Sequence, residues 1–322
     1  MLMRLTAAIL GACLLNAQPP EEIPTIKVEV NVVNVLATVR DSRGALVNSL
    51  TQDDFQILED GSPQDIRYFS RETDLPLTLG LLVDVSASQR NLLQLERRAA
   101  EQFFDSVLRN QDLAFIISFG AEVELLQDLT SSRVLLSKGL DQLRLSAPPP
   151  APTGSPVPTV YQPRGTVLFD AVYLAATERL QSEVGRKAIV LITDGVDTGS
   201  RKKLEDAIRE AQKADAIIYS IYYVDPEAYG GRGWGGFVPS NGDLKRMSEQ
   251  TGGRLFEVSR RLSLDDIFRQ IQEELRSQYS LGYISTNTAR DGSYRRIEVR
   301  VKKKGYKVQA RKGCYAPMGS GD

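Results

Sequence analysis

The sequence predicts an α/β protein whose larger part is a doubly wound, mainly parallel sheet and whose smaller part is an all-β sandwich built from the N- and C-terminal segments. Two patterns carry this prediction. In the middle of the chain, near-continuous apolar runs alternate with stretches of helical periodicity, as expected for parallel strands covered by helices on both faces. Near both ends, short segments alternate apolar with polar residues, which is typical of strands that bury one face.

The elements of the central part follow from these apolar runs. Four of them predict buried strands, at Leu77–Val83, Leu113–Phe119, Ala188–Thr193 and Ala216–Val224. Val123–Leu129 predicts a hairpin strand at one edge of the sheet, and Ser263 with Asp266 forms a capping box that begins the last helix. Residues 75–278 are therefore expected to form a sheet whose ligands collect at the carboxyl ends of its strands.

Two flanking segments predict the sandwich. In residues 26–72, apolar residues alternate with polar ones, and the turn-forming sequences at 41–44 and 59–63 separate short strands. In residues 279–315 the alternation resumes on both sides of the basic run Lys302–Lys304, which predicts a hairpin with a solvated turn. Because neither segment can bury a sizeable core alone, we expect both to pair into one discontinuous sandwich.

The first residues predict an export signal. Met1–Arg4 carries one positive charge, Leu5–Leu15 is almost wholly apolar, and cleavage after Ala17 would define residues 1–17 as a signal peptide. The apolar run is too short to span a bilayer, so the mature chain is expected to have no transmembrane span. An alternative interpretation takes Leu10–Cys13 as a lipoprotein signal with acylation at Cys13. Both place the protein in the periplasm, the cell envelope or the extracellular space.

The composition limits the function. Of the 322 residues, 42% are hydrophobic and 25% charged, as in an ordinary globular protein. The net charge of -1 gives no indication of a nucleic-acid partner. The chain contains 0 histidines, which excludes imidazole acid–base catalysis, serine triads that depend on histidine, and histidine-rich metal sites.

A D-x-S-x-S sequence follows the first strand of the predicted sheet. Asp84 ends that strand, and Ser86 and Ser88 lie in the loop that leads to the next helix. One carboxylate and two hydroxyls are hard oxygen ligands that suit a Mg²⁺-sized cation. Serines in this position are equally typical of a helix cap, so the motif alone leaves both interpretations open.

Two further segments complete a three-part pattern. "RGTVLFDA" places Thr166 just before a helix, and "LITDGVDTG" places Asp194 at the carboxyl end of a later strand. D-x-S-x-S, G-T-x-L-x-D-A and T-D-G in this order resemble the von Willebrand factor type A (VWA) domain and its metal-ion-dependent adhesion site. The resemblance covers about residues 75–278, and the flanking segments resemble a group of exported bacterial proteins that carry such a domain.

The resemblance implies a ligand set and a mode of binding. It assigns Ser86 and Ser88 as direct ligands, Thr166 as a direct or water-mediated ligand, and Asp84 and Asp194 as carboxylates that hold the ion, often through water. The implied ion is Mg²⁺, with Mn²⁺ or Ca²⁺ as alternatives. It also implies a protein partner that offers a Glu or Asp carboxylate to the ion.

Three classes of function follow. The first is an exported, non-enzymatic protein-binding or adhesion module. The second is a metal-dependent phosphoryl-transfer or hydrolytic enzyme, against which stand the absence of histidine and of a second aspartate two residues after Asp84. The third is a structural envelope protein with a purely stabilising ion. The loops at 146–165 and 225–242, the latter with Tyr229, Trp234 and Phe237, are expected to border the metal site, either as recognition elements or as mere connections.

Overall fold

The computed structural model describes residues 32–71, 75–146, 165–229 and 239–319. The expected signal peptide at 1–17 and the alternative acylation at Cys13 lie outside the described residues, as do most of the two loops and the side chain of Tyr229.

The described elements are numbered in chain order. The strands are β1 Val32–Arg40, β2 Phe55–Glu59, β3 Ser62–Gln64, β4 Ile66–Arg71, β5 Leu77–Asp84, β6 Leu113–Phe119, β7 Val123–Thr130, β8 Arg186–Thr193, β9 Ala216–Tyr222, β10 Leu255–Glu257, β11 Tyr279–Ile284, β12 Tyr294–Val301, β13 Lys307–Ala310 and β14 Gly313–Tyr315. The helices are α1 Leu93–Val107, α2 Arg133–Asp141, α3 Leu168–Leu174, α4 Leu204–Lys213, α5 Pro226–Tyr229, α6 Gly242–Thr251 and α7 Leu264–Arg276.

The central sheet has six strands in the order β10-β9-β8-β5-β6-β7, and its pairings are parallel except for that of the edge strand β7. Every residue of β5 and β8 is buried. Alternate residues of β5 face two separate cores, so Leu81 packs on the side of α1 and α7, whereas Leu82 packs on the side of α3, α4 and α6. This confirms the doubly wound, mainly parallel sheet.

The last helix shows how the local sequence determines an element boundary. The Ser263 hydroxyl accepts a hydrogen bond from the backbone N–H of Asp266 at 3.1 Å, and the hydroxyl also donates to the Asp266 carboxylate at 2.7 Å. This is the predicted capping box, and α7 begins directly after it. The apolar face of α7 packs on α1, where the Phe268 and Phe103 rings stack with centroids 4.4 Å apart.

The sandwich consists of two four-stranded antiparallel sheets, ordered β13-β1-β11-β4 and β14-β12-β2-β3. Both sheets combine strands from the two ends of the described chain, because β1 pairs with β11 and β2 pairs with β12. Their facing residues form one core, in which Val35, Ile57, Leu281 and Ile297 are buried. The small sandwich made from N- and C-terminal segments is thus confirmed.

The predicted hairpin around the basic run is wrong. Strand β12 pairs with β2 and β14, whereas β13 pairs with β1 in the opposite sheet. The chain between Val301 and Lys307 crosses from one sheet to the other. Both strands still turn apolar side chains, such as Ile297 and Val308, toward the common core, and this explains why their alternation matched that of a hairpin.

A buried acid ties the sandwich to the central sheet. Glu274, in the last turn of α7, is 0% exposed. Its carboxylate pairs with Arg40 of β1 at 2.5 Å and accepts a hydrogen bond from the Gln309 amide of β13 at 3.1 Å. The Arg254 guanidinium lies 3.4 Å from the same carboxylate. Partners from several elements therefore compensate the cost of burying this charge.

No helix among the described residues is both long enough and apolar enough to cross a membrane.

A second buried acid, Glu59, generates a test of the sandwich. Its carboxylate accepts hydrogen bonds from the Tyr283 hydroxyl at 2.7 Å and the Ser285 hydroxyl at 2.5 Å. It also pairs with Arg295 at 3.3 Å, and the two charged side chains are 2% and 4% exposed. Replacing Arg295 by an uncharged residue would leave the Glu59 carboxylate without its ionic partner in a low-dielectric environment.

We expect Arg295→Met to lower the free energy of unfolding by about 3–5 kcal/mol in urea titrations, because the Glu59 charge loses its ionic partner. The matched control is Arg300→Met on the same strand, where the Arg300–Glu298 pair is about half exposed. Its cost is expected to stay below about 1 kcal/mol. Equal losses in the two variants would contradict the role assigned to burial.

Candidate functional site

Two carboxylates lie side by side at one edge of the central sheet. Asp84 is the last residue of β5, and Asp194 comes directly after β8. These strands are parallel neighbours, so their carboxyl ends meet at the same edge. Both acids are 0% exposed. The fold thus places two like charges where ligands of such sheets are expected.

The serines that follow β5 link the two acids. The Asp84 carboxylate accepts a hydrogen bond from the backbone N–H of Ser86 at 2.9 Å, and this bond tightens the turn after the strand. The Ser86 and Ser88 hydroxyl oxygens are 3.0 Å apart, and the Ser88 hydroxyl donates to the Asp194 carboxylate at 2.5 Å. Four of the five predicted residues are therefore joined by hydrogen bonds. We call Asp84, Ser86, Ser88 and Asp194 the acid–hydroxyl cluster.

Thr166 is placed at the same edge by its backbone. It lies before α3 and is 6% exposed. Its carbonyl accepts hydrogen bonds from the backbone N–H groups of Thr198 at 3.1 Å and Gly199 at 3.2 Å, in the loop that follows Asp194. A Cβ atom on Gly165 would lie 1.2 Å from the Thr198 hydroxyl, so the preceding position needs a glycine.

Two more acids organise the loops around Thr166. The Asp170 carboxylate accepts hydrogen bonds from the backbone N–H groups of Arg201 and Lys202, the latter at 2.8 Å. The Asp197 carboxylate accepts one from the Ser200 hydroxyl at 2.6 Å. Burial raises the pKa of Asp197, while this hydrogen bond opposes the rise. Both acids therefore orient the loop after β8 against the start of α3.

Thr193 is a member of the site that the motif analysis missed. Its hydroxyl donates to the Asp84 carboxylate at 2.6 Å and accepts from the backbone N–H of Gly195 at 3.1 Å. It is 0% exposed, and it directly precedes Asp194. A hydroxyl residue at the end of an otherwise apolar strand was the available signal, since a buried hydroxyl needs a polar partner.

The buried acids repel one another. Burial, followed by the charge of Asp194, raises the pKa of Asp84 to about 7, and the hydrogen bonds from Thr193 and Ser86 oppose this rise. Within the described residues Asp84 forms no ion pair with a basic side chain. The charge of Asp84 is therefore not compensated by a basic side chain among the described residues.

Glu96 adds a third acid beneath this edge. It lies on the inner face of α1 and is 1% exposed, and neither carboxylate oxygen has a hydrogen-bond partner among the described residues. Burial, then the charges of Asp84 and Asp194, raise its pKa well above the usual value. Helical spacing could have found it, because Leu93, Glu96 and Phe103 lie on one buried face.

The donor set fits a hard divalent cation. The five predicted residues offer two carboxylates and three hydroxyls, all oxygen donors. No group of three or more His, Cys, Asp or Glu side chains in the described parts of the chain is arranged to hold a metal, so hydroxyls would have to complete the shell. A cation would also relieve the repulsion between the two buried carboxylates.

The fold and this cluster define a doubly wound α/β protein with acids and hydroxyls at the carboxyl ends of its strands. No protein-family model matches the chain, and no curated protein matches it. The fold is nevertheless similar to that of solved structures.

Three of these solved structures illustrate the similarity in fold. A von Willebrand factor type A protein from Catenulispora acidiphila is 10% identical, with a TM-score of 0.48, over 91% of this chain and 76% of that one. BatB from Bacteroides thetaiotaomicron is 18% identical, with a TM-score of 0.47, over 62% and 97%. Proximal thread matrix protein 1 from the mussel byssus, with a zinc-occupied MIDAS motif, is 15% identical, with a TM-score of 0.48, over 69% and 50%. At these values the similarity concerns the fold, and we base no functional argument on it.

We expect Asp194→Asn to raise the free energy of unfolding by about 1 kcal/mol in a chelator at pH 8, because the change removes one of two neighbouring buried charges. At saturating Mg²⁺ the wild type should instead be the more stable of the two proteins, because only the wild type gains the full free energy of ion binding. Urea titrations with and without the ion measure both effects.

The control for this experiment is Asp141→Asn, which alters an exposed carboxylate paired with Arg97. Its effect should stay within about 0.5 kcal/mol in both conditions. A loss of stability on Asp194→Asn in chelator would show that the two charges do not oppose folding.

Proposed function

We propose that the chain is an exported VWA-type protein with a metal-ion-dependent adhesion site, and that it binds an acidic residue of a partner protein through a divalent cation. The observation that carries this proposal is the hydrogen-bonded cluster of Asp84, Ser86, Ser88 and Asp194 at the carboxyl ends of β5 and β8. Its residue types and their order along the chain support a VWA site.

The proposed ligands divide by charge. The hydroxyls of Ser86, Ser88 and Thr166 are neutral donors, and the carboxylates of Asp84 and Asp194 carry the charge. Mg²⁺ is the proposed ion, with Mn²⁺ or Ca²⁺ as substitutes. When bound, the ion supplies an electrophilic position for a Glu or Asp carboxylate of the partner. Three of the five proposed ligands are neutral hydroxyls, and neutral ligands leave the ion more electrophilic towards an incoming acid than carboxylates would.

The rest of the site keeps the ligands in place. Thr193 fixes one oxygen of Asp84 at 2.6 Å, and the backbone N–H of Val196 donates to one oxygen of Asp194 at 3.1 Å. These bonds give each carboxylate a defined orientation before any partner arrives. Preorganisation of this kind lowers the entropic cost of binding.

A binding role agrees with the chemistry of the chain. With 0 histidines and Ser86 in place of a second aspartate, the sequence lacks the most frequent general base, histidine, and the usual aspartyl phosphatase pair. We further propose that residues 1–17 are a signal peptide, that 75–278 form the VWA domain, and that 26–72 and 279–315 form its companion sandwich. The proposed location is the periplasm or the cell envelope.

We expect one Mn²⁺ or Mg²⁺ ion to bind each chain and Ser86→Ala/Ser88→Ala to weaken binding at least tenfold, because two oxygen donors are lost. Isothermal titration calorimetry with Mn²⁺ on chelator-stripped protein measures this change. The matched control is Ser106→Ala/Ser137→Ala, two hydroxyls on α1 and α2 that bond to Phe103 and Glu101. Equal Mn²⁺ affinity in the two double variants would refute the proposed ligand set.

We expect partner capture to depend on the ion. Immobilised wild-type chain, incubated with a cell-envelope extract in Mg²⁺, should retain a protein that a chelator elutes, because the ion bridges the two molecules. The Ser86→Ala/Ser88→Ala protein should retain less than a tenth as much.

The decisive control uses the captured protein itself. Replacement of each exposed Glu or Asp in its binding region by Gln or Asn should identify one residue whose loss abolishes capture. Retention that survives both the chelator and the loss of the serines would count against a metal bridge.

A further inference from the structure

A cavity of about 270 Å³ lies at the amino ends of the parallel strands, where the central sheet meets the sandwich. It is at the opposite edge of the sheet from the acid–hydroxyl cluster. We call it the junction pocket. Its polar lining comes from β1, the turn before β8, β8, α4, the turn before β9, α6 and the segment after β13, and consists of Asn34, Glu183, Lys187, Gln212, Asp215, Thr251 and Arg311.

Two cationic side chains in this lining are buried. Lys187, near the start of β8, is 8% exposed, and Arg311, just after β13, is 9% exposed. Burial lowers the pKa of Lys187, and the nearby charges of Asp215 and Glu183 oppose this effect. Cations are rarely buried to this degree without an anionic partner, because the loss of hydration costs several kcal/mol.

Hydrogen-bond and ionic partners within the chain compensate only one of these two buried cations with a carboxylate. Arg311 forms an ion pair with Asp215, but its Nε atom has no hydrogen-bond partner among the described residues. The Lys187 ammonium donates to the backbone carbonyl of Glu183 at 2.9 Å and forms no ion pair within the described chain. The Arg311 Nε atom is fully buried, so the Lys187 ammonium is the donor that remains available to a ligand.

The acidic side chains of the lining contribute less to the electrostatic potential in the pocket than the basic ones do. The Asp215 side chain is 54% exposed, so water screens its charge, whereas both cations lie in a low-dielectric environment. Asp215 is also held at a φ of 55°, in the left-handed region, on the turn that faces Arg311. Arg311 is paired with Asp215, whereas Lys187 forms no ion pair among the described residues, so the charge of Lys187 favours an anion in the pocket.

The size of the pocket limits the ligand. Sites for drug-sized molecules have volumes of about 300–1,000 Å³, so 270 Å³ suits a small ion or a short organic acid. Phosphate and carboxylate groups match buried Arg and Lys donors, since charge-assisted hydrogen bonds to these oxygens are short and strong. From the cavity, the two buried cations that line it and the Lys187 ammonium that forms no ion pair among the described residues, we propose that the junction pocket binds a small oxyanion between Lys187 and Arg311.

Such a ligand would bridge two parts of the molecule. Lys187 belongs to the central sheet, whereas Arg311 follows the sandwich strand β13. An anion held by both would stabilise the junction, as any ligand stabilises the state that binds it. This inference does not depend on the proposed metal site, which lies at the other edge.

The test measures binding of two probes, inorganic phosphate and succinate, in chelator and at constant ionic strength set with chloride. We expect saturable heat in calorimetry with at least one probe and a rise in Tm of about 5 °C at a hundredfold excess over Kd. Binding of phosphate alone would identify a phosphate site, and binding of succinate would identify a carboxylate site.

Matched variants locate the site. Lys187→Met keeps the length of the side chain and removes the charge, and it should weaken binding at least tenfold. Lys245→Met removes one exposed charge on α6 and should have no effect. The Ser86→Ala/Ser88→Ala protein should bind the probes like the wild type, which separates this site from the metal site. If neither probe binds the wild type, or if Lys187→Met binds as well as the wild type, the proposal is wrong.

Discussion

The central constraint on this structure is the placement of two buried carboxylates at the ends of adjacent parallel strands. Because β5 and β8 pair in parallel, Asp84 and Asp194 must leave the sheet at the same edge, in an environment of low dielectric. The hydroxyls of Thr193 and Ser88 donate hydrogen bonds to these carboxylates. The carboxylates also accept hydrogen bonds from backbone N–H groups of the loops that follow the two strands. A fold optimised only for stability would have an apolar group here; the retained repulsion favours a binding role.

Much of the fold could be predicted, because strands that are buried on both faces of a sheet consist of near-continuous runs of apolar residues. Strands β5, β6 and β8 consist mainly of apolar residues, and a run of this kind has few alternatives. The pairing of β12 and β13 could not be predicted in the same way. Alternation reports which face of a strand is buried, but two strands that face each other across a sandwich show the same alternation as two that pair within one sheet.

The cluster residues could be predicted because their order along the chain is specific, whereas their surroundings could not. Thr193 belongs to the T-D-G sequence but was assigned no role, and Glu96 lies on the buried face of a helix whose other buried residues are apolar. The polar lining of the junction pocket comes from separate elements of the fold, among them β1, β8, α4 and the segment after β13. The spacing of residues along the chain does not indicate that these side chains lie together, because their arrangement depends on how the sandwich packs against the sheet.

The pairing of the two ends of the sandwich has a consequence for biogenesis. Val32 is in register with Ile284, and Ala37 with Ala310, so strand β1 pairs with segments that are synthesised more than 240 residues later. Contacts of such high sequence separation form late, since a long loop must close before they contribute. The nascent chain therefore carries an unpaired, valine-rich strand until β11 and β13 have been synthesised. A holding chaperone that covers this strand would prevent intermolecular pairing during that interval.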